Sequence, residues 1–490
     1  MDALSVRNDL PGFALSILPI ILAIFGVVLV FLWKERLAAF VERGWGARAF
    51  WIAIVLSTAL LALFFAGLQP HVIPWGGMDR YFVRAMNIVS TGVFGYGTTP
   101  TAIFPPGYSF LFLPLLFVLG ETRWVFFLTN IVLLILFAVI IRRILVHIGV
   151  SERTANLLTL VISFYPNRLL SVVLPFSDVP FALIYGIAFS LLIVRFLRPP
   201  GLASAIAIGA IGGIATLVRS NGLVAFLPLL VGIVASAQRQ SLMPLRHGFA
   251  ALAVFLLLLA PWMVRNYTLF GRFVPVSANA GINIAIGNNP SGPDTHNSYI
   301  DSVWSESGSW KKVGGEGWNE AQRDSFFAAL GVSYIKDHPV DFAVRAVKKL
   351  ARTFGADNYT FGQLTTYTNA TTVVFSATRD SGLPSWFIST SAALVGTGLT
   401  LLLLLNSTLY YLLIFFSVYV FFRKGRMPPA LRWVLFLLAG GIAAMVIATF
   451  GLSRYKEPLE IVSMLFCLTE FLLWDKKHSA AGVAGVPIRS

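Results

Sequence analysis

The chain has 490 residues, 57% of them apolar and only 12% charged, with a mean hydropathy of +0.77. Soluble domains carry about 25% charged residues and about half apolar ones, which makes a soluble enzyme, a nucleic-acid binder and a disordered scaffold poor readings. A net charge of +15 would suit a nucleic-acid partner, but the basic residues sit in short segments between apolar stretches. They report topology, and no nucleic acid is expected.

The first apolar stretch, 11–33, is long enough to cross a bilayer. No small-residue cleavage site follows it, so it is expected to be a retained helix and not a signal peptide. Further spans are expected at 49–68, 124–141, 153–167, 179–196, 203–217, 222–237, 248–264, 397–422, 430–450 and 457–474. With the first, these predict an all-α polytopic membrane protein of about eleven transmembrane helices. Two shorter apolar stretches, 107–120 and 384–396, are expected to be juxtamembrane helices.

Positive residues set the orientation. The clusters Lys34/Arg36/Arg43/Arg48, Arg142/Arg143/Arg153, Arg195/Arg198, Arg239/Arg246, Arg423/Lys424/Arg426/Arg432 and Lys476/Lys477/Arg489 hold about half of the 37 basic residues, with few acids. Placing them in the cytoplasm makes the spans alternate consistently, with the N-terminus outside and the C-terminus inside. The expected site is a cytoplasmic (inner) membrane, with the functional face outward, toward the periplasm. The organisation that follows is an N-terminal membrane module over 1–264 with outer loops 69–123 and 168–178, an extracytoplasmic domain over 265–383, a C-terminal membrane module over 384–477 and a cytoplasmic tail over 478–490. No internal repeat is visible.

The block 265–383 begins with loops rich in Gly, Asn and Ser, with short strands expected around 273–285. Helices are expected at 319–336 and from Pro339 onward, since proline suits a first helical turn. The second helix carries Arg345, Lys348, Lys349 and Arg352 between apolar positions, a pattern expected to lie on the outer membrane surface near anionic head groups.

Polar residues at membrane depth or just outside it are functional candidates. Asp79, in Gly76-Gly77-Met78-Asp79-Arg80-Tyr81, is placed just past a membrane exit, where a carboxylate raised toward neutrality by burial could deprotonate a hydroxyl acceptor. The bland alternative is a helix cap. Asp178, in Ser177-Asp178-Val179-Pro180, is equally a cap or a supporting carboxylate that orients an acceptor or a cation. Glu457, between Arg454, Lys456 and the next span, is expected to form an ordinary interfacial ion pair. Arg219, Arg265 and Arg454 stand at three outer span ends, a pattern suited to a phosphate at the membrane surface because guanidinium binds phosphate oxygens bidentately. Each alone would equally suit snorkelling to lipid head groups.

Cys467 is the only cysteine, so no intrachain disulfide or thiolate cluster is possible, and the six histidines form no HxxH or HExxH spacing. Asp79 with Asp178 offers two carboxylates to a divalent ion, yet nothing in the pattern demands a metal or any other cofactor. Asn358 and Asn369 open glycosylation tripeptides.

The order of these pieces resembles one family. Asp79 near Tyr81, then Pro105-Pro106-Gly107-Tyr108, Ser177-Asp178-Val179-Pro180, Arg219, Pro261-Trp262-Met263-Val264-Arg265-Asn266-Tyr267, Gly281-Ile282-Asn283-Ile284 with Gly287-Asn288-Asn289-Pro290, and Arg454-Tyr455 follow in sequence. Over roughly 70–475 this is similar to the bacterial GT-C glycosyltransferases related to protein O-mannosyltransferases (family 39-like) and to the lipid A aminoarabinose transferase. The resemblance implies a GT-C-like bundle whose activity moves a sugar from a polyprenyl-phosphate donor to an acceptor hydroxyl on a glycan, lipid or protein in the cell envelope. It implies Asp79 as catalytic base and Asp178 as supporting carboxylate. Arg219, Arg265 and Arg454 become donor-phosphate ligands, and Arg80, Tyr81, Tyr108, Asn266, Tyr455 and Lys456 line the site. Two departures stand out: Asp79-Arg80, where many relatives carry Asp-Glu, and the extra span at 12–33. The first weakens any metal-dependent version of the site.

Such chemistry is coherent on its own terms. A lipid phosphate is a good leaving group, so a positioned base and cationic stabilisation of the departing phosphate suffice; attack opposite the phosphate inverts the anomeric carbon. A lipid or glycolipid flippase would favour internal repeats and polar residues at mid-span. A polysaccharide ligase would share the basic groove without needing Asp79.

Overall fold

The structure is a computed structural model and describes residues 12–68, 80–237, 243–290, 318–355, 385–422 and 428–475. Asp79, Asn358, Asn369, the tail 478–490 and the ends of several expected loops lie outside the described residues.

In chain order the helices are α1 (Gly12–Leu32), α2 (Lys34–Arg43), α3 (Ala47–Leu68), α4 (Arg80–Thr91), α5 (Gly107–Leu119), α6 (Trp124–His147), α7 (Glu152–Ser163), α8 (Pro166–Ser171) and α9 (Asp178–Leu197). They continue as α10 (Leu202–Val218), α11 (Gly222–Ser236), α12 (Met243–Phe270), α13 (Ala280–Gly287), α14 (Glu320–Asp337), α15 (Pro339–Phe354), α16 (Ser385–Phe422), α17 (Pro429–Ala448) and α18 (Glu457–Asp475), with a 3-10 turn at Ser453–Lys456. The sheet content among the described residues is one small antiparallel hairpin, β1 (Gly95–Tyr96) with β2 (Thr99–Pro100). The molecule is an all-α polytopic membrane protein. Five of its described helices are long and apolar enough to cross a bilayer: Trp124–His147, Asp178–Leu197, Leu245–Phe270, Leu401–Phe422 and Pro429–Ala448.

Several expectations change. The segment expected to span at 153–167 is a 12-residue helix, α7, capped by the Ser151 side chain on the Thr154 amide and interrupted before Pro166. A helix that short reaches only about 18 Å, less than the hydrocarbon thickness. The juxtamembrane stretch 384–396 is no separate helix, because Ser385–Phe422 runs unbroken for 38 residues. The strands expected around 273–285 are replaced by irregular chain leading into α13, which Ala, Ile and Asn build without the alternation a strand needs. The span expected to stop at 264 continues to Phe270, so Arg265 and Asn266 occupy its last turns.

The two helices expected in the 265–383 block are present. Asn319 and Gln322 form a reciprocal capping box at the start of α14, and Pro339 opens α15. α15, however, is turned the opposite way from expectation. Arg345 and Lys349 point inward: Arg345 donates to the Asn289 carbonyl, and Lys349 to Asn288 Oδ1 and the Ile447 carbonyl. The outward face carries Val340, Val344 and Val347, with Lys348 and Arg352 beside them. Buried amide and carbonyl partners outweigh the head-group attraction expected for those two cations.

The main core runs through α5, α6, α9, α10, α11, α17 and α18. Two smaller cores cap one end of the bundle. Phe270, Val274, Ala278 and Ala321 form one, and Ala285, Ile286, Phe327 and Phe450 the other. α5 meets the end of α10 without intervening side chains: a Cβ at Gly107 would lie 2.7 Å from the Leu217 carbonyl carbon and the Val218 nitrogen. The turn between α10 and α11 is equally tight. The Gly222 amide donates to the Arg219 carbonyl at 2.9 Å, and a Cβ at Gly222 would strike the Thr216 side chain. That turn projects Arg219 from the end of the bundle.

Candidate functional site

Three chain segments meet at the bundle end capped by the small cores: the start of α9, the α10–α11 turn and the 3-10 turn beyond α17. Asp178, 4% exposed, is the first residue of α9. Its Oδ2 lies 2.9 Å from Arg219 Nη1 and 3.6 Å from Arg454 Nη1. Its Oδ1 has no hydrogen-bond partner among the described residues. The capping role weighed for this residue is not taken up by any side chain here, since Ser177 occupies the cap position and makes no side-chain cap bond. Instead Ser177 Oγ accepts from Arg219 Nη1 at 3.1 Å and donates to the Tyr81 hydroxyl at 3.2 Å.

Aromatic rings frame this carboxylate. The Arg219 guanidinium lies 5.2 Å from the Tyr455 ring centre, and that of Arg454 lies 5.2 Å from Phe176. Tyr81 packs edge-on against Phe104 and Tyr108 with centroids 5.5 and 5.3 Å apart. Tyr108, fully buried, donates to Asn130 Oδ1, and Asn130 in turn holds the carbonyls of Val172 and Leu174 ahead of Asp178. Burial raises the Tyr81 hydroxyl pKa above its ordinary value, with Arg219 opposing, so the hydroxyl stays protonated and serves as donor or acceptor without carrying charge.

Thus Asp178, Arg219, Arg454, Tyr81, Tyr108 and Tyr455, scattered over nearly 400 residues, converge at one place. Arg80 stands at the edge, its guanidinium 5.5 Å from Phe104. Three further expected site residues are placed elsewhere. Arg265 donates to the Thr101 and Phe94 carbonyls at 2.7 and 3.1 Å and stacks on Trp262 at 4.4 Å. Asn266 is fully buried and donates to the Val274 carbonyl, which holds the 272–278 chain in place. Lys456 is buried against Tyr410, 3.7 Å from the ring centre, where it reaches the Gly355 carbonyl and, at 3.8 Å, Glu460. Glu457 does not sit at the interface. It is buried, accepts from Asn167 Nδ2 at 2.6 Å and faces Arg168 at 4.0 Å. The start of α18 turns it into the core, away from the surface that its sequence neighbours suggested.

Other residues come forward that sequence reasoning passed over. Ser177 links Arg219 to Tyr81. Arg84, fully buried, donates to the Arg80 carbonyl and the Tyr96 hydroxyl and lies 4.7 Å from Phe104; desolvation lowers its pKa from the ordinary value. Its spacing of four from Arg80 on an amphipathic helix was the available signal.

A cavity of about 360 Å³ opens beside this cluster. Ser220 and Asn221 of the α10–α11 turn, Asn279 and Asn283 around the start of α13, Asp324 of α14 and Tyr455 contribute to its walls. A narrow, mostly apolar crevice shares Asn221, Val224, Met445 and Tyr455 with it and reaches Phe181, Leu438 and Ile442 between α9, α11 and α17. Among the described residues no group of three or more His, Cys, Asp or Glu side chains is placed to hold a metal ion.

No family model matches the sequence, and no curated protein does. Two solved structures are similar to the chain, both of ArnT from Cupriavidus metallidurans. The one bound to undecaprenyl phosphate shows 14% identity and a TM-score of 0.40, over 88% of this chain and 79% of that one. The apo form shows 13% identity and a TM-score of 0.35, over 88% and 78%.

Proposed function

We propose that the chain is a membrane glycosyltransferase that moves a sugar from a polyprenyl-phosphate donor to an acceptor hydroxyl at the extracytoplasmic ends of its spans. The observation that carries this reading is the convergence of Arg219 and Arg454 on Asp178 beside a cavity of about 360 Å³. Guanidinium groups anchored on a carboxylate and an aromatic ring are preorganised for phosphate oxygens, and preorganised cations act most strongly where water is excluded. The clustering of basic residues at the opposite loops supports the outward orientation.

In the proposed reaction the acceptor oxygen forms a bond to the anomeric carbon while the bond from that carbon to the donor phosphate breaks. The electron pair leaves with the polyprenyl phosphate, whose charge Arg219 and Arg454 stabilise. The acceptor proton passes to Asp79, the proposed general base, and the anomeric carbon inverts. Asp178 and Ser177 orient Arg219.

The test is transfer by the purified chain in detergent, given a panel of polyprenyl-phosphate sugars and an envelope acceptor extract. Wild-type transfer, falling at least ~100-fold in Asp79→Asn, is the outcome expected of a lost general base. Transfer that survives Asp79→Asn keeps the transferase but removes Asp79 as its base. Absence of both transfer and donor hydrolysis with every donor refutes the reading.

A further inference from the structure

We propose that the cavity beside Tyr455 holds the sugar ring, and that it selects a neutral, hydroxyl-rich sugar over one carrying an ammonium group. The proposal rests on the glycosyltransferase reading and adds the class of sugar. A volume of about 360 Å³ lies at the small end of ligand cavities, about 300–1,000 Å³, and suits a head group better than a whole lipid.

The walls carry the chemistry a sugar ring needs. Asn221 and Asn283 line the cavity, and their side chains have no hydrogen-bond partner among the described residues. Each amide offers two donors and an acceptor, the complement of hydroxyls that both donate and accept. Ser277 Oγ, also in the wall, donates to Asn279 Oδ1 at 3.0 Å and lies 3.0 Å from Ser220 Oγ, from which it can accept. Tyr455 adds an aromatic surface 5.2 Å from the Arg219 guanidinium, which sets the cavity next to the proposed phosphate site.

The charges on the wall determine which sugar is favoured. Asp324 is the carboxylate among the lining residues, and it is already engaged. It accepts the Ile282 amide at 3.1 Å and the Gly281 amide, closing the start of α13 from the neighbouring helix. Burial also favours its neutral form. Facing it on the rim is Arg272, exposed and held by Ser325 Oγ at 2.9 Å. An ammonium group entering here meets Arg272, with Arg219 behind Tyr455, and finds no disengaged carboxylate. Such like-charge opposition is how sites reject a wrong ligand.

Equilibrium binding by the full chain in lipid nanodiscs tests this with four probes: bare polyprenyl phosphate, the same lipid carrying a neutral pentose, the same lipid carrying a 4-amino-4-deoxypentose, and a free neutral oligosaccharide. The neutral donor is expected to bind at least about tenfold more tightly than the amino-sugar donor. Asn283→Leu is expected to weaken the neutral donor about tenfold while leaving bare polyprenyl phosphate unaffected, which also shows that the variant is folded. Arg272→Glu, at an exposed rim position, is expected to narrow the gap between the two donors. If Asn283→Leu weakens only the oligosaccharide, the neutral ring in the cavity belongs to the acceptor, and the assignment stands with that source. If wild type binds no polyprenyl phosphate but binds the oligosaccharide through Asn283, the donor reading falls and the cavity assignment survives. Binding of both sugars unchanged by Asn283→Leu, or an Asn283-dependent amino-sugar donor bound as tightly as the neutral one, overturns the proposal.

Discussion

Residues 454 to 457 contribute to two charged clusters of similar chemistry and opposite character. Arg454 and Tyr455 turn toward Asp178 and Arg219, whereas Lys456 and Glu457 turn inward toward Glu460, Arg168 and Asn167. The arginines of the first cluster keep some exposure, 17% for Arg454 and 14% for Arg219, whereas Arg168 keeps 0%; the carboxylates Asp178 and Glu457 are both buried. Guanidinium–carboxylate pairing alone therefore does not mark a site. A sealed pair fixes helix ends to one another; a pair beside a cavity and an aromatic ring can share its cations with an incoming anion.

The comparison can be broken most sharply at Arg168. Arg168→Met strands Glu457 in the core, and losing one partner of a buried pair costs about 3–5 kcal/mol. Thermal unfolding in detergent should show a large drop, partly recovered by adding Glu457→Gln. A stable Arg168→Met protein that has lost only turnover would move this cluster into the functional site. The converse change is Arg219→Ala. Transfer should fall about 10²–10³-fold, as when one preorganised donor is removed, with a smaller drop in unfolding temperature than in Arg168→Met, because Arg454 stays 3.6 Å from Asp178. Parallel collapse of stability and turnover would instead make Arg219 a staple like Arg168.

Arg265 sharpens the contrast at a smaller scale. Its donors are engaged by the Thr101 and Phe94 carbonyls, and the Phe94 carbonyl keeps the Thr101 amide, so Arg265→Ala should cost about 1–3 kcal/mol of stability through the Thr101 carbonyl left without this donor. The folded fraction should still bind polyprenyl phosphate with wild-type affinity; selective loss of that binding would return Arg265 to the phosphate site.

The smallest expected effect is at Asp324. Its pKa is raised on folding by burial, so its contribution to stability is fully present below the unfolded value of about 3.9 and is lost as pH climbs through the folded value. The advantage of Asp324→Asn over wild type in unfolding temperature should therefore grow as pH rises from about 4 toward neutrality. An advantage independent of pH would show that Asp324 gains no proton on folding.

Membrane character, helical class and the Asp178, Arg219 and Arg454 candidates were legible in the sequence because hydropathy and span-end position depend on local composition. What those arginines touch was not legible. Arg219 and Arg265 look alike in the chain, each an arginine at a span end followed by a polar residue, and only packing separates a carboxylate partner from a pair of carbonyls. Glu457 misled for the same reason: its charged sequence neighbours suggested a surface, but the first turn of α18 rotates it inward. The 273–285 stretch was misjudged because short apolar runs suit strand and helix alike. Asp324 carried no sequence signal, and Asn221 and Asn283, although inside the 218–222 and 281–284 motifs, had nothing that marked them as a cavity wall, since a wall drawn from three elements has no spacing to detect.

The bare contact between Gly107 and the 217–218 backbone has a mechanical consequence. With no side chain between them, α5 and the end of α10 have nothing compressible to absorb a displacement. Any shift of α5 passes undamped into the residue next to Arg219. Tyr108, the ring behind Tyr81, follows Gly107 in the same helix, and Arg219 follows Val218, so the contact stands between two residues of the site. A methyl group at position 107 would act as a wedge of fixed thickness, altering the spacing of arginine, carboxylate and cavity while leaving the chemical identity of all three intact.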